Sequence, residues 1–169
     1  MKHPMHIPVL PLLPALLSLA LGITSCNDNS CSENGSSLPL ATLYVGTSQQ
    51  NVPGLTIMGI GAPGDNLLAD SSTLGEVYLP LRASVGTTAY SIGRWVRLDT
   101  VGKWVRDTLT IAYDPVPFFH STECGSMFNF NLKSVSVTTH GIDSVVTLTT
   151  QVTNSLLPSL RIYFTDFAQ

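Results

Sequence analysis

Three groups of side chains in this sequence are of types that do chemistry. His120, Glu123 and Cys124 stand close together, with Asp114 just upstream and His140 and Asp143 further on. A thiol four residues after a histidine could serve as a nucleophile with an imidazole base, and the histidines and carboxylates could form a metal or acid/base site. The supply is poor, however. Only His120 and His140 follow residue 25, and neither has a recognised metal-ligand spacing. No Gly-x-Ser-x-Gly elbow or paired-carboxylate motif appears. The expectation is therefore no catalytic residue, no metal and no cofactor: a protein that is not an enzyme. The second group, Gly59-Ile60-Gly61-Ala62-Pro63-Gly64, matches the dinucleotide-binding fingerprint letter for letter. Its context is wrong, because Pro63 and Gly64-Asp65-Asn66 open no long helix and no parallel unit surrounds it, so it reads as a loop.

The third group joins aromatic and basic side chains. Arg94-Trp95-Val96-Arg97 and Lys103-Trp104-Val105-Arg106 echo one another across Val101-Gly102, which reads as a hairpin inserted before, or merged with, the next strand. Tryptophans in a domain of this size are expected in the core or half-buried. If one face of the hairpin is exposed, Trp95, Arg97 and Trp104 become the binding site, able to stack on sugar rings, dock a protein or meet lipid headgroups.

The elements that must position these residues are strands. From Cys26 onward there are 17 Thr, 13 Val and 6 Ile, against 16 for Ala, Glu, Lys and Gln together. Leu109, Ile111 and Tyr113 alternate with threonines in a strand closed by Asp114-Pro115. Phe128, Phe130 and Leu132 alternate likewise, but Val135 and Val137 continue out of phase, so one extra residue near Lys133-Ser134 implies a bulge or bend. About eight short strands at regular spacing, with no long helix pattern, predict an antiparallel immunoglobulin-like β-sandwich.

The first quarter of the chain differs. Lys2 and the uncharged apolar run from Ile7 to Ile23 form a secretory signal peptide over residues 1–25; Pro8, Pro11 and Pro14 argue against a membrane-spanning helix. Ile23-Thr24-Ser25-Cys26 resembles the lipobox of bacterial lipoproteins, in which the cysteine thiol takes diacylglycerol, so Cys26 is the expected lipidation site. Residues 26–38 are polar and turn-prone, a lipidated tether, and residues 39–169 form a single domain. Asn27 rather than Asp follows the cysteine, which favours outer-membrane anchoring, with the periplasmic and surface faces both open. The chain after residue 25 holds seven basic and eleven acidic residues, which argues against a nucleic-acid partner. With Cys26 assigned to lipid, Cys31 and Cys124 remain, and in an oxidising compartment the default is a disulfide between them. In the chain-entropy treatment it stabilises by on the order of 4 to 5 kcal/mol as an upper figure.

The lipidated Cys26 with Cys31 close behind, the strand Asp107-Thr108-Leu109-Thr110-Ile111-Ala112-Tyr113, then Ser121-Thr122-Glu123-Cys124-Gly125, Ile142-Asp143-Ser144, Val152-Thr153-Asn154 and Arg161-Ile162-Tyr163-Phe164 resemble an uncharacterised family of small Bacteroidota-type envelope lipoproteins. The resemblance implies location and fold but no reaction. In such bacteria Asp, Ser/Thr, aliphatic is an O-glycosylation signal, which Asp99-Thr100-Val101, Asp107-Thr108-Leu109 and Asp143-Ser144-Val145 resemble; modification is expected at one or two of Thr100, Thr108 and Ser144. Two functions follow as expectations. One is a non-enzymatic lipoprotein, membrane-held and serving as a partner-binding or structural accessory subunit of the envelope. The other is a carbohydrate-binding module for surface glycan capture, and exposure of the two indoles discriminates between them.

Overall fold

The computed structural model describes residues 37–63, 66–98, 101–122 and 124–167. The signal peptide, Cys26, Cys31, Thr100, Glu123 and nearly all of the tether lie outside the described residues. Among the described residues there is no α-helix, and eleven strands form two sheets. They are β1 (Leu40–Val45), β2 (Ser48–Gln49), β3 (Val52–Gly59), β4 (Leu67–Leu74), β5 (Glu76–Tyr78), β6 (Thr87–Leu98), β7 (Val101–Ser121), β8 (Gly125–Val137), β9 (Ile142–Thr147), β10 (Gln151–Val152) and β11 (Leu160–Phe164). Eight of these have five or more residues; β2, β5 and β10 are pairings too short to carry any periodicity in sequence.

The smaller sheet runs β2-β1-β11-β9, with β5 also on β1, and the larger runs β10-β8-β7-β6-β3-β4. Every pairing is antiparallel except β1 with β11. One core fills the space between the sheets. Ala41, Leu43, Ile142, Leu160 and Ile162 from the smaller sheet meet Leu55, Ile57, Tyr90, Leu109, Ile111, Tyr113 and Phe130 from the larger. The alternation of Leu109, Ile111 and Tyr113 places all three in that core, and the Tyr113 and Phe130 rings meet edge to face with their centroids 5.2 Å apart. The extra residue is Lys133: Ala112 pairs with Ser134 and Tyr113 with Leu132, which leaves Lys133 without a partner across the ladder.

The sequence reading needs a correction at Asp114-Pro115, where β7 does not end. It continues to Ser121, about 70 Å of strand at the usual rise per residue. The Tyr113 N–H points toward the β6 side, to Gly86 O at 2.9 Å. Pro115 and Pro117 have the same parity, so their nitrogens face that side too, and there β6 has already ended. Two prolines are tolerated because no neighbouring strand asks for their missing N–H. The Trp hairpin is likewise the same ladder, not an insertion: β6 and β7 pair without interruption from Thr87↔Ala112 to Leu98↔Val101.

Candidate functional site

The far half of the β6–β7 hairpin stands free of the larger sheet. β3 pairs with β6 only as far as Arg94, and β8 pairs with β7 only from Leu109 onward. Beyond those positions the two strands form a ribbon. One face of it is closed: Val96 and Val105 are buried, and Gly141 sits so near that a β-carbon there would lie 2.7 Å from Val105 Cγ1. Arg94 is on this face. Its guanidinium lies 5.3 Å from the Phe164 ring centroid and 5.2 Å from that of Phe167, and it donates to Thr165 O at 2.7 Å. Burial pulls its pKa down, with the Asp166 charge opposing.

The other face is open, and it carries the tryptophans. Trp95 and Trp104 are direct cross-strand partners, so both indoles project on the same side. The expectation that they would lie in the core or half-buried is corrected for Trp95, which is 63% exposed, whereas Trp104, at 38%, keeps partial burial. Each indole leans across the ribbon onto a glycine of the opposite strand. A β-carbon at Gly102 would lie 2.6 Å from Trp95 Cε2, and one at Gly93 would lie 2.7 Å from Trp104 Cζ2. Gly102 pairs with Arg97 and Gly93 pairs with Arg106, so each indole has an arginine at the level of the glycine it covers. The segments Gly93-Arg94-Trp95-Val96-Arg97 and Gly102-Lys103-Trp104-Val105-Arg106 are thus related by an approximate two-fold axis through the tryptophan pair. The ribbon thus presents both indoles on one open face, flanked by Arg97 and Arg106, both exposed. A cavity of about 370 Å³ bordered by Pro53, Trp95, Arg97 and Phe167 opens beside it.

The acid/base candidates are not brought together. His120 lies exposed near the β7–β8 turn, whereas His140 is held against Asp107, thirteen residues earlier on β7 and about 40 Å of strand away. Asp114 forms an exposed ion pair with Lys133 at 2.6 Å. Asp143 accepts a hydrogen bond from Thr165 Oγ1 at 2.6 Å. No cluster of three or more potential metal ligands occurs among the described residues. Cys124 is half-buried in the β7–β8 turn, where its N–H donates to Ser121 Oγ at 3.1 Å.

Asp107 itself was missed as a structural centre. Its carboxylate is buried and takes hydrogen bonds from Thr138 Oγ1 (2.8 Å) and the backbone N–H groups of His140 (2.8 Å), Gly141 (2.7 Å) and Ile142 (3.0 Å), with His140 Nδ1 at 3.0 Å. Burial pushes this carboxyl up, but the donors outweigh that and hold it below the ordinary carboxylate value. The sequence did carry a signal: Val105, Asp107 and Leu109 share one parity, so an acid stood at an inward position. Of the remaining modification candidates, Thr108 is half-buried and its N–H donates to Thr138 Oγ1, whereas Ser144 is exposed on the edge strand β9.

Among the described residues no helix is long and apolar enough to cross a membrane. The chain matches no curated protein and no solved structure. A family model does match, over residues 54–164, which takes in the whole tryptophan ribbon and the Asp107 cluster. The chain belongs to the family of unknown function DUF6452.

Proposed function

We propose that this protein is a lipid-anchored recognition module of the cell envelope, without catalysis, whose contact surface is the open face of the Trp95/Trp104 ribbon. The observation that carries the reading is the pair of indoles packed against glycines on the open face of the ribbon and left exposed there. Large aromatic surface left exposed in this way is a hallmark of contact sites. Its placement supports the same reading. Ser37 is bonded to Phe128 O and Asn129 Oδ1 near the β7–β8 turn, so the tether from a lipidated Cys26 reaches the domain at one end of β7. The ribbon lies at the other end, about 50 Å of strand away. An anchor at Cys26 would therefore hold the ribbon out from the membrane, in the outer-membrane lipoprotein manner of the Bacteroidota type. The two sheets are read as an immunoglobulin-like sandwich.

The Cys31–Cys124 disulfide belongs to this reading. Cys31 is six residues before Ser37, a reach of up to about 20 Å, and Ser37 docks four residues from Cys124 along the chain of β8. Of the two described O-glycosylation candidates, Thr108 and Ser144, the exposed Ser144 is the better placed.

The exposed indoles favour a second reading within the first: that the partner is a glycan, as in a carbohydrate-binding module. The test of the main reading is co-purification from solubilised envelopes. Wild type is expected to retain a partner or glycan that the Trp95→Ala/Arg97→Ala/Trp104→Ala variant loses; equal recovery with a folded variant refutes the surface. Acyl-probe labelling that persists unchanged in Cys26→Ala would refute the anchor.

A further inference from the structure

We propose that the ligand of the Trp95/Trp104 ribbon is an acidic oligosaccharide, its sugar rings stacked on the two indoles and its anionic groups paired with Arg97 and Arg106. The inference rests on the reading of that face as the contact surface and adds the chemistry of what it contacts. Three observations carry it.

The first is shape. The indoles are not knobs or a pocket. Each meets the glycine of the opposite strand, Gly102 or Gly93, through its Nε1–Cε2–Cζ2 edge. The levels of those two glycines are four residues apart on β6, about 13 Å along the ribbon. An exposed aromatic face complements the apolar face of a pyranose ring, and two at this separation suit non-adjacent rings of a short linear chain. Protein hot spots more commonly seat an anchor in a desolvated pocket.

The second is charge. The open face offers Arg97 and Arg106, one beside each indole, and the outward positions toward the sheet, Ala89, Ser91, Thr108 and Thr110, are uncharged. Among the described residues no carboxylate forms an ion pair with either arginine; the ion pair found between a lysine or arginine and a carboxylate is Lys133 with Asp114. Guanidinium groups at both ends of an aromatic row suit carboxylate or sulfate, which they bind bidentately.

The third is symmetry. The two halves of the site carry the same residues in the same order, Gly, base, Trp, Val, Arg, related by the two-fold axis of the hairpin. A duplicated subsite matches a ligand whose own chemistry repeats, which an acidic polysaccharide does and an arbitrary protein surface does not.

The test uses the full-length protein in detergent, with oligogalacturonate, oligomannuronate and heparin-derived tetrasaccharides as acidic probes and mannotetraose and cellotetraose as neutral ones. Binding is followed by tryptophan fluorescence and calorimetry. At least one acidic probe is expected to bind and to perturb the indole emission, with the neutral probes about tenfold weaker or worse. Trp95→Ala and Trp104→Ala should each weaken it by about tenfold. Because those indoles also cover glycines, the variant Arg97→Gln/Arg106→Gln provides a test that leaves the packing intact. It should bring acidic binding down toward the neutral level, and raised salt should do the same to wild type. Equal affinity for acidic and neutral probes, full acidic binding by the double arginine variant, or no binding of any acidic probe overturns the proposal. Should the envelope capture described above still depend on the tryptophans when every sugar fails, the contact surface stands and its ligand is an acidic protein or a second copy. If that capture is also indifferent to them, the surface falls as well.

Discussion

Trp104 lies over Gly93 at a distance that leaves no room for a side chain: a β-carbon at position 93 would stand 2.7 Å from Cζ2 and 3.0 Å from Cε2. Neither Gly93 nor Gly102 has a positive φ, so the requirement is for absence of bulk, not for backbone freedom. The indole covers backbone that glycine would otherwise leave bare, and this contact stiffens a two-stranded ribbon that has no sheet neighbour on either side.

Gly93→Ala and Gly102→Ala should therefore each push an indole off the ribbon. The expected cost is about 1–3 kcal/mol, as for other overpacked sites, read from the urea midpoint, together with a red shift of tryptophan emission. Unchanged emission in both variants would show that the indoles do not depend on the glycines.

What was legible in the sequence was whatever alternates against a buried face. Leu109, Ile111 and Tyr113 gave their strand, and the phase slip from Leu132 to Val135 gave the bulge at Lys133. β4 was missed because Asp70-Ser71-Ser72-Thr73 is polar on both sides; it is an edge strand with Ala69 as its one buried residue, bent at Ser71 with φ 47. The continuation through Pro115 and Pro117 was illegible because proline ends a strand only where a neighbour needs its N–H, and which neighbours exist is a property of the sheet. The ribbon's echo was plain, but the exposure of its indoles was not. That depends on Trp95 meeting Gly102 and Trp104 meeting Gly93 across a register that sequence alone does not supply.

Tyr113 ties the segment before β6 to the core. Its hydroxyl lies 2.6 Å from Thr88 Oγ1, accepts from Arg82 N at 3.0 Å and donates to Arg82 O at 2.9 Å. Tyr113→Phe keeps the ring and its edge contact with Phe130 but leaves these groups without their partner. A loss of about 1–3 kcal/mol is expected, with faster hydrogen exchange at the Arg82 amide. Exchange unchanged at that amide would mean the hydroxyl does not hold the segment.

The proposal that this protein works without catalysis is testable through the side chains that could carry it. Replacing His120, Glu123, His140 and Asp143 together should leave complementation of a deletion strain intact, provided the variant folds and reaches the membrane. A folded, membrane-located variant that fails to complement would make the loop around Cys124 the place to look for chemistry.

Asp107 is expected to contribute to the acid sensitivity of the fold. Because the folded-state pKa is depressed, the native state binds this proton less readily than the unfolded chain does. The carboxylate's contribution is therefore complete above the unfolded value, about pH 4, and is lost as pH falls from there through the depressed value. Asp107→Asn removes the charge and presents an amide N–H₂ where Gly141 and Ile142, or Thr138 and His140, already offer donors. Donor then meets donor whichever way the amide turns. The variant should lose on the order of 3 kcal/mol at neutral pH. It should also show a shallower fall in stability below about pH 4 than wild type. Urea denaturation at pH 7, 5, 4 and 3 measures both, and parallel curves for the two proteins would remove Asp107 as the source of the acid dependence.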